Sequence, residues 1–154
     1  MKAGSSRRLK SSRNSPAAGF AAHGWLGLAL VLVAWPANWL LSGPRTQLLF
    51  FPLWLGYILT VDALVLRRKG TSLLARSRRR FVGLFLVSAP AWWLFEALNA
   101  RVQNWHYVGR ELFADWQYAL TASFSFSTVM PAVFGTAELM GTLAFVRRLG
   151  RGPI

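Results

Sequence analysis

Between Arg80 and Arg101 lie twenty residues, FVGLFLVSAPAWWLFEALNA, that carry a single charge, at Glu96. A helix needs about 20 apolar residues to cross the roughly 30 Å of hydrocarbon in a bilayer, so this stretch is long enough to span one. Three other stretches share the pattern. Spans are predicted over about Trp25 to Leu41, Leu48 to Leu66 and Phe81 to Leu98, with a fourth crossing inside Tyr118 to Val146. The expected fold class is an all-α integral membrane protein with four transmembrane helices.

Each span holds one proline, at Pro36, Pro52, Pro90 and Pro131. Membrane helices tolerate proline where neighbouring groups satisfy the freed carbonyls. Kinks are expected at Pro36, Pro90 and Pro131, whereas Pro52 lies close to a helix start, where proline is harmless.

The basic residues set the threading. Five lie before the first span, seven between Arg67 and Arg80, and three after the fourth span, against Arg45, Arg101 and Arg110 in the other loops. Positive charge collects on the cytoplasmic side, so both termini and the Arg67–Arg80 loop are expected inside, in what reads as a bacterial inner membrane. Residues 1–22 form a basic cytoplasmic tail with too little apolar content to order, 23–146 the transmembrane domain, and 147–154 a second basic tail. The apolar run from Trp25 to Trp35 resembles a signal-peptide core, but it continues to Leu41 without a small-residue cleavage site and is read as a retained helix.

Composition narrows the chemistry. The net charge of +13 would point to nucleic acid in a soluble protein, but here the charge sits in blocks between apolar runs and no nucleic-acid motif accompanies it. The chain has no cysteine and only His23 and His106, which leaves no thiolate chemistry and no histidine-rich metal site. No metal or cofactor is expected. The expected partners are the bilayer itself, with anionic lipids at the cytoplasmic face, and another helix or a second copy of the chain.

Three of the five acids fall inside spans: Asp62, Glu96 and Glu138. A charge at mid-bilayer costs at least about 2.5–3.5 kcal/mol on insertion scales, so each invites a functional question. Asp62 lies five residues before Arg67, close enough to reach headgroups or a neighbouring arginine. Glu138 is farther from its boundary, near Gly135, Gly141 and Thr142, where small residues imply a tight helix seam; it is expected to matter more than Asp62. Trp92, Glu96 and Asn99 share one helix face, and Asn104, Trp105, His106 and Tyr107 follow closely enough to fold back over it. That set suits the polar end of a lipid, quinone or isoprenoid. It would equally anchor the helix at the interface, with Asn99 as its cap.

The catalytic candidates are Glu96, Glu138 and His106; the ligand-binding candidates are Trp92, Glu96, Asn99, Asn104, His106 and Tyr107. No spacing forms a recognised catalytic motif. The leading expectation is a non-enzymatic scaffold, assembly factor or subunit of a membrane complex. The alternatives are an enzyme or binding protein for a lipophilic substrate acting through Glu96 or Glu138, and an oligomeric proton-coupled carrier.

Overall fold

The computed structural model describes residues 19–41, 43 and 46–149. Most of the expected N-terminal tail and the chain from residue 150 onward therefore lie outside the described residues. All regular structure among the described residues is helical. The helices are α1 (Ala22–Leu40), α2 (Gln47–Lys69), α3 (Leu73–Arg76), α4 (Arg78–Val102), a 3-10 turn (Arg110–Leu112), α5 (Asp115–Ser127), α6 (Val129–Met140) and α7 (Ala144–Leu149). Two of them, α2 and α4, are long and apolar enough to cross a membrane.

Helix α2 is the central element, packed against α1 on one side and α6 on another, while α4 packs on α5 and α6. The closest approach is between α1 and α2. A Cβ added at Gly27 would lie 2.7 Å from the Gly56 carbonyl oxygen and 2.7 Å from the Thr60 amide, and one at Gly24 would overlap the Ala63 Cβ. At Gly27 and Gly56 the two backbones meet with no side chain between them. The sequence reading places a tight seam at Gly135 and Gly141 instead. There, a Cβ added at Gly135 would sit at an ordinary 3.5 Å from Val61, and one at Gly141 would meet only carbonyls of the preceding helix.

The fourth predicted crossing is two helices joined at Thr128. Pro131 lacks an N–H, so the Ser127 carbonyl receives no bond from it and the ladder breaks one turn upstream. Ser88 of α4, almost wholly buried, repairs the adjacent step: its hydroxyl donates to the Phe126 carbonyl at 2.5 Å and accepts from the Met130 amide at 3.0 Å. A side chain from one helix thus stands between a donor and an acceptor of another. By contrast, α1 and α4 continue as single helices through Pro36 and Pro90.

A small apolar core forms around Ile58, Leu59, Phe81 and Ala132. Much of the large apolar surface faces outward, including Leu32, Val33, Trp39 and Leu40 on α1 and Leu86, Val87, Leu94 and Leu98 on α4. Soluble monomers rarely expose contiguous apolar patches beyond a few hundred Å².

The two ends of the bundle differ in chemistry. At one end, Arg67, Arg68 and Lys69 close α2, Gly70 caps it in the left-handed conformation (φ 75°), and Arg78, Arg79 and Arg80 open α4. At the other end lie Trp105, Tyr107, Trp116 and Tyr118.

Candidate functional site

The C-terminus of α4 builds the aromatic end. Gln103 ends the helix with a positive φ of 52°, a conformation that costs a non-glycine residue free energy. Asn99 holds the turn. Its Oδ1 accepts from the amides of Asn104 (2.9 Å) and Trp105 (3.1 Å), and its Nδ2 donates to the Trp105 carbonyl at 2.7 Å. The chain is thereby folded back over the face that carries Glu96.

Glu96 sits at the centre of this fold-back. Its Oε1 accepts from the Trp105 indole at 3.1 Å and from the Tyr107 hydroxyl at 2.7 Å. Burial, and then the bond to Glu96, raise the Tyr107 phenol above its usual pKa, while the Trp92 and Trp105 N–H groups near its oxygen oppose that shift. At pH 7 the phenol is therefore a firm donor. Trp92, one turn before Glu96, has a buried indole N–H with no aligned hydrogen-bond acceptor. Its ring packs on Phe126 at 5.9 Å.

A cavity of about 470 Å³ opens between this loop, the N-terminus of α2 and α5. Trp92, His106, Tyr107, Arg110, Gln47 and Asn38 supply its polar wall, and Phe50, Phe126 and Val129 its apolar floor. Its volume lies within the roughly 300–1,000 Å³ usual for small-molecule sites. Arg110, the one Lys, Arg, Asp or Glu among the described residues of its wall, donates to the Phe113 carbonyl at 3.1 Å, pairs with the exposed Asp115 and lies 4.3 Å over the Tyr118 ring.

Of the residues singled out in the sequence, Trp92, His106 and Tyr107 line this cavity. Glu96, Asn99, Asn104 and Trp105 form the scaffold that shapes the loop around it. Arg110, Gln47 and Asn38 were not singled out, because nothing in their local spacing ties three separate segments to one cavity.

The other two acids that the sequence reading puts inside spans, Asp62 and Glu138, lie at the basic end. Glu138 takes Arg76 in a two-point grip at 2.6 and 3.0 Å and Lys69 at 2.8 Å. The bond from Glu138 is the main reason the Arg76 guanidinium is held above its usual pKa, so Arg76 stays charged. Glu138 is thus a paired ion at the edge of the bundle, held by residues of α2 and α3.

Asp62 departs further from expectation. It is 3% exposed and reaches neither headgroups nor an arginine. Its Oδ2 accepts from the Ser72 hydroxyl at 2.7 Å and its Oδ1 from the Leu74 amide at 3.0 Å, at the start of α3. His23 Nε2 of α1 lies 3.1 Å from Oδ2, at ion-pair distance but out of line for a hydrogen bond. Helical reach toward the boundary pointed to water; the short α3 folds over that end of α2 and closes the route.

Among the described residues no group of three His, Asp or Glu side chains converges as a bound metal ion would need. No protein-family model matches the chain, and no curated protein or solved structure is detectably similar to it.

Proposed function

We propose that the chain is a four-span inner-membrane protein with both termini in the cytoplasm, which binds the polar end of a lipophilic molecule in its outer-face cavity. On this reading it acts as a binding or assembly component of the membrane and not as an enzyme. The threading is supported by the separation of basic and aromatic ends and by the apolar faces turned outward on α1 and α4. Helix α1, at 19 residues, extends about 28 Å at 1.5 Å per residue, and α5 with α6 continues across the Thr128 break. Ser88 gives the Phe126 carbonyl and the Met130 amide partners at that break, as hydrocarbon surroundings favour.

The observation that carries the binding reading is the cavity itself, about 470 Å³, which gathers Trp92, His106, Tyr107, Gln47 and Asn38 over an apolar floor. A few convergent polar groups in a largely apolar concavity are what a small-molecule site presents. The acids support binding over catalysis. Both oxygens of Glu138 are held by Arg76 and Lys69, and Glu96 spends Oε1 on Trp105 and Tyr107, which ties both acids to structure. A general acid or base needs an oxygen within reach of the proton it moves.

Gentle extraction followed by mass spectrometry tests this reading. A lipid, quinone or isoprenoid should remain bound in near-stoichiometric amount, and Trp92→Phe should lose much of it. A stoichiometric protein partner with no retained lipophile would replace the reading with that of a complex subunit.

A further inference from the structure

Eighteen basic side chains face only five side-chain carboxylates in this chain, and the fold fixes where each of the five sits. Glu96, Glu111 and Asp115 lie at the aromatic end. At the basic end, Glu138 grips Arg76 and Lys69, and Asp62 is buried under α3. Arg78, Arg79 and Arg80, which open α4, are all exposed, and no side-chain carboxylate is left to pair with them. Helical spacing puts Arg79 at the head of one face. Gly83, Leu86 and Pro90 follow it at i+4, i+7 and i+11, opposite the buried Phe81 and Ser88 through which α4 meets the bundle. A Cβ added at Gly83 would meet nothing within 4 Å, so the helix surface dips there beside the exposed Val82, Leu86 and Val87.

We propose that this end of α4 is a docking surface for an anionic phospholipid of the cytoplasmic leaflet. The headgroup phosphate lies on Arg79 and its two neighbours, and one acyl chain runs down the face through the dip at Gly83. The proposal rests on the threading above and is independent of the outer cavity. Two features together choose the occupant. Unpaired guanidiniums call for an anion, and their fork matches two phosphate oxygens at once. The apolar face begins within a turn of them. Val82 is 53% and Leu86 72% exposed, and Leu86 stands about 10 Å along the axis from Arg79 at 1.5 Å per residue. A free phosphate or an acidic protein segment would match the arginines and nothing below them. A phospholipid carries its anion and its hydrocarbon at that separation. Basic side chains just inside a membrane helix draw anionic lipid by about fivefold each.

The test uses the full chain, which has no cysteine, with Leu86→Cys carrying a fluorescent label, in phosphatidylcholine nanodiscs. Phosphatidylglycerol or phosphatidylcholine with brominated acyl chains is added as the quencher. Phosphatidylglycerol should half-quench the label at a mole fraction about fivefold lower than phosphatidylcholine. At Leu94→Cys, in the far half of the same exposed face, the two lipids should quench alike. Arg79→Gln should remove most of the preference at Leu86, and added inorganic phosphate should leave it unchanged. Gly83→Leu is the second arm, because it keeps all three arginines and fills the dip where no neighbour stands. It should weaken quenching by phosphatidylglycerol at least twofold. Equal quenching by the two lipids at Leu86 overturns the proposal, as does an equal preference at Leu94. A preference that survives Arg79→Gln or Gly83→Leu, or that inorganic phosphate abolishes, overturns it too. A label shielded from both lipids would mean that protein, such as a second copy, covers the face, and would also overturn it. Both leaflets of a nanodisc are alike, so the result does not depend on the threading, which reporter fusions decide separately.

Discussion

The Ser88 hydroxyl on α4 donates to the Phe126 carbonyl on α5, and through its remaining lone pair it takes the Met130 amide of α6. One buried hydroxyl thus stands in for the Met130-to-Phe126 step, next to the Ser127 carbonyl that Pro131 leaves without its bond. Ser88→Ala should remove both bonds at once and cost about 1–3 kcal/mol, the usual penalty for stranding buried backbone groups. Ser127→Ala is the control, because its exposed hydroxyl bonds only the Phe124 carbonyl of its own helix. Thermal melts in detergent should separate the two. Equal melting temperatures would show that the break does not depend on Ser88.

The α1–α2 contact makes a sharper steric prediction. Gly27→Ala places a methyl 2.7 Å from the Gly56 carbonyl oxygen and the Thr60 amide, both backbone atoms that cannot swing aside. The helices must separate, at a cost of about 1–3 kcal/mol for overpacking. Gly83→Ala meets nothing within 4 Å and should be neutral or stabilising by about 0.5–1 kcal/mol through helix propensity. A Gly27→Ala variant as stable as Gly83→Ala would place the seam elsewhere.

The two inner acids should rank in the order opposite to the one their depth in sequence implies. Asp62→Asn puts an NH₂ where the carboxylate met two donors, so either Ser72 or the Leu74 amide loses its acceptor. A loss of about 1–3 kcal/mol is expected. Glu138→Gln keeps an acceptor, and Arg76 and Lys69, each about half exposed, can turn to water; the loss should be within about 1 kcal/mol. Chemical or thermal unfolding of the two variants, run side by side, gives the ranking. Greater damage from Glu138→Gln would restore the depth argument.

Periodicity and length were enough to anticipate helices close to where they stand, because an apolar run bounded by arginines leaves few alternatives. The fold-back of Asn104, Trp105 and Tyr107 over Glu96 was equally legible, since one helical face and a short following segment define it locally. What escaped notice is what depends on helices meeting. Ser88 looks like any small polar residue until α4 lies against the break at Thr128. Gly27 and Gly56 are far apart in sequence, and only their packing shows that each occupies the other's missing Cβ. Asp62 was read along its own helix, while its partners come from α3 and α1. The polar cavity draws Asn38, Gln47 and Arg110 from three segments, and no local spacing connects them.

The account depends most on the threading that puts the Glu96 loop and its cavity outside and the Arg67–Arg80 loop inside. Reporter fusions measure it directly, using an enzyme that is active only on the outer side of the membrane. Fusion after Gly109 should give an active reporter, and fusion after Gly70 a silent one, because fifteen of the eighteen basic residues then lie on the cytoplasmic side. Activity after Gly70 with silence after Gly109 would contradict the account and place the cavity in the cytoplasm.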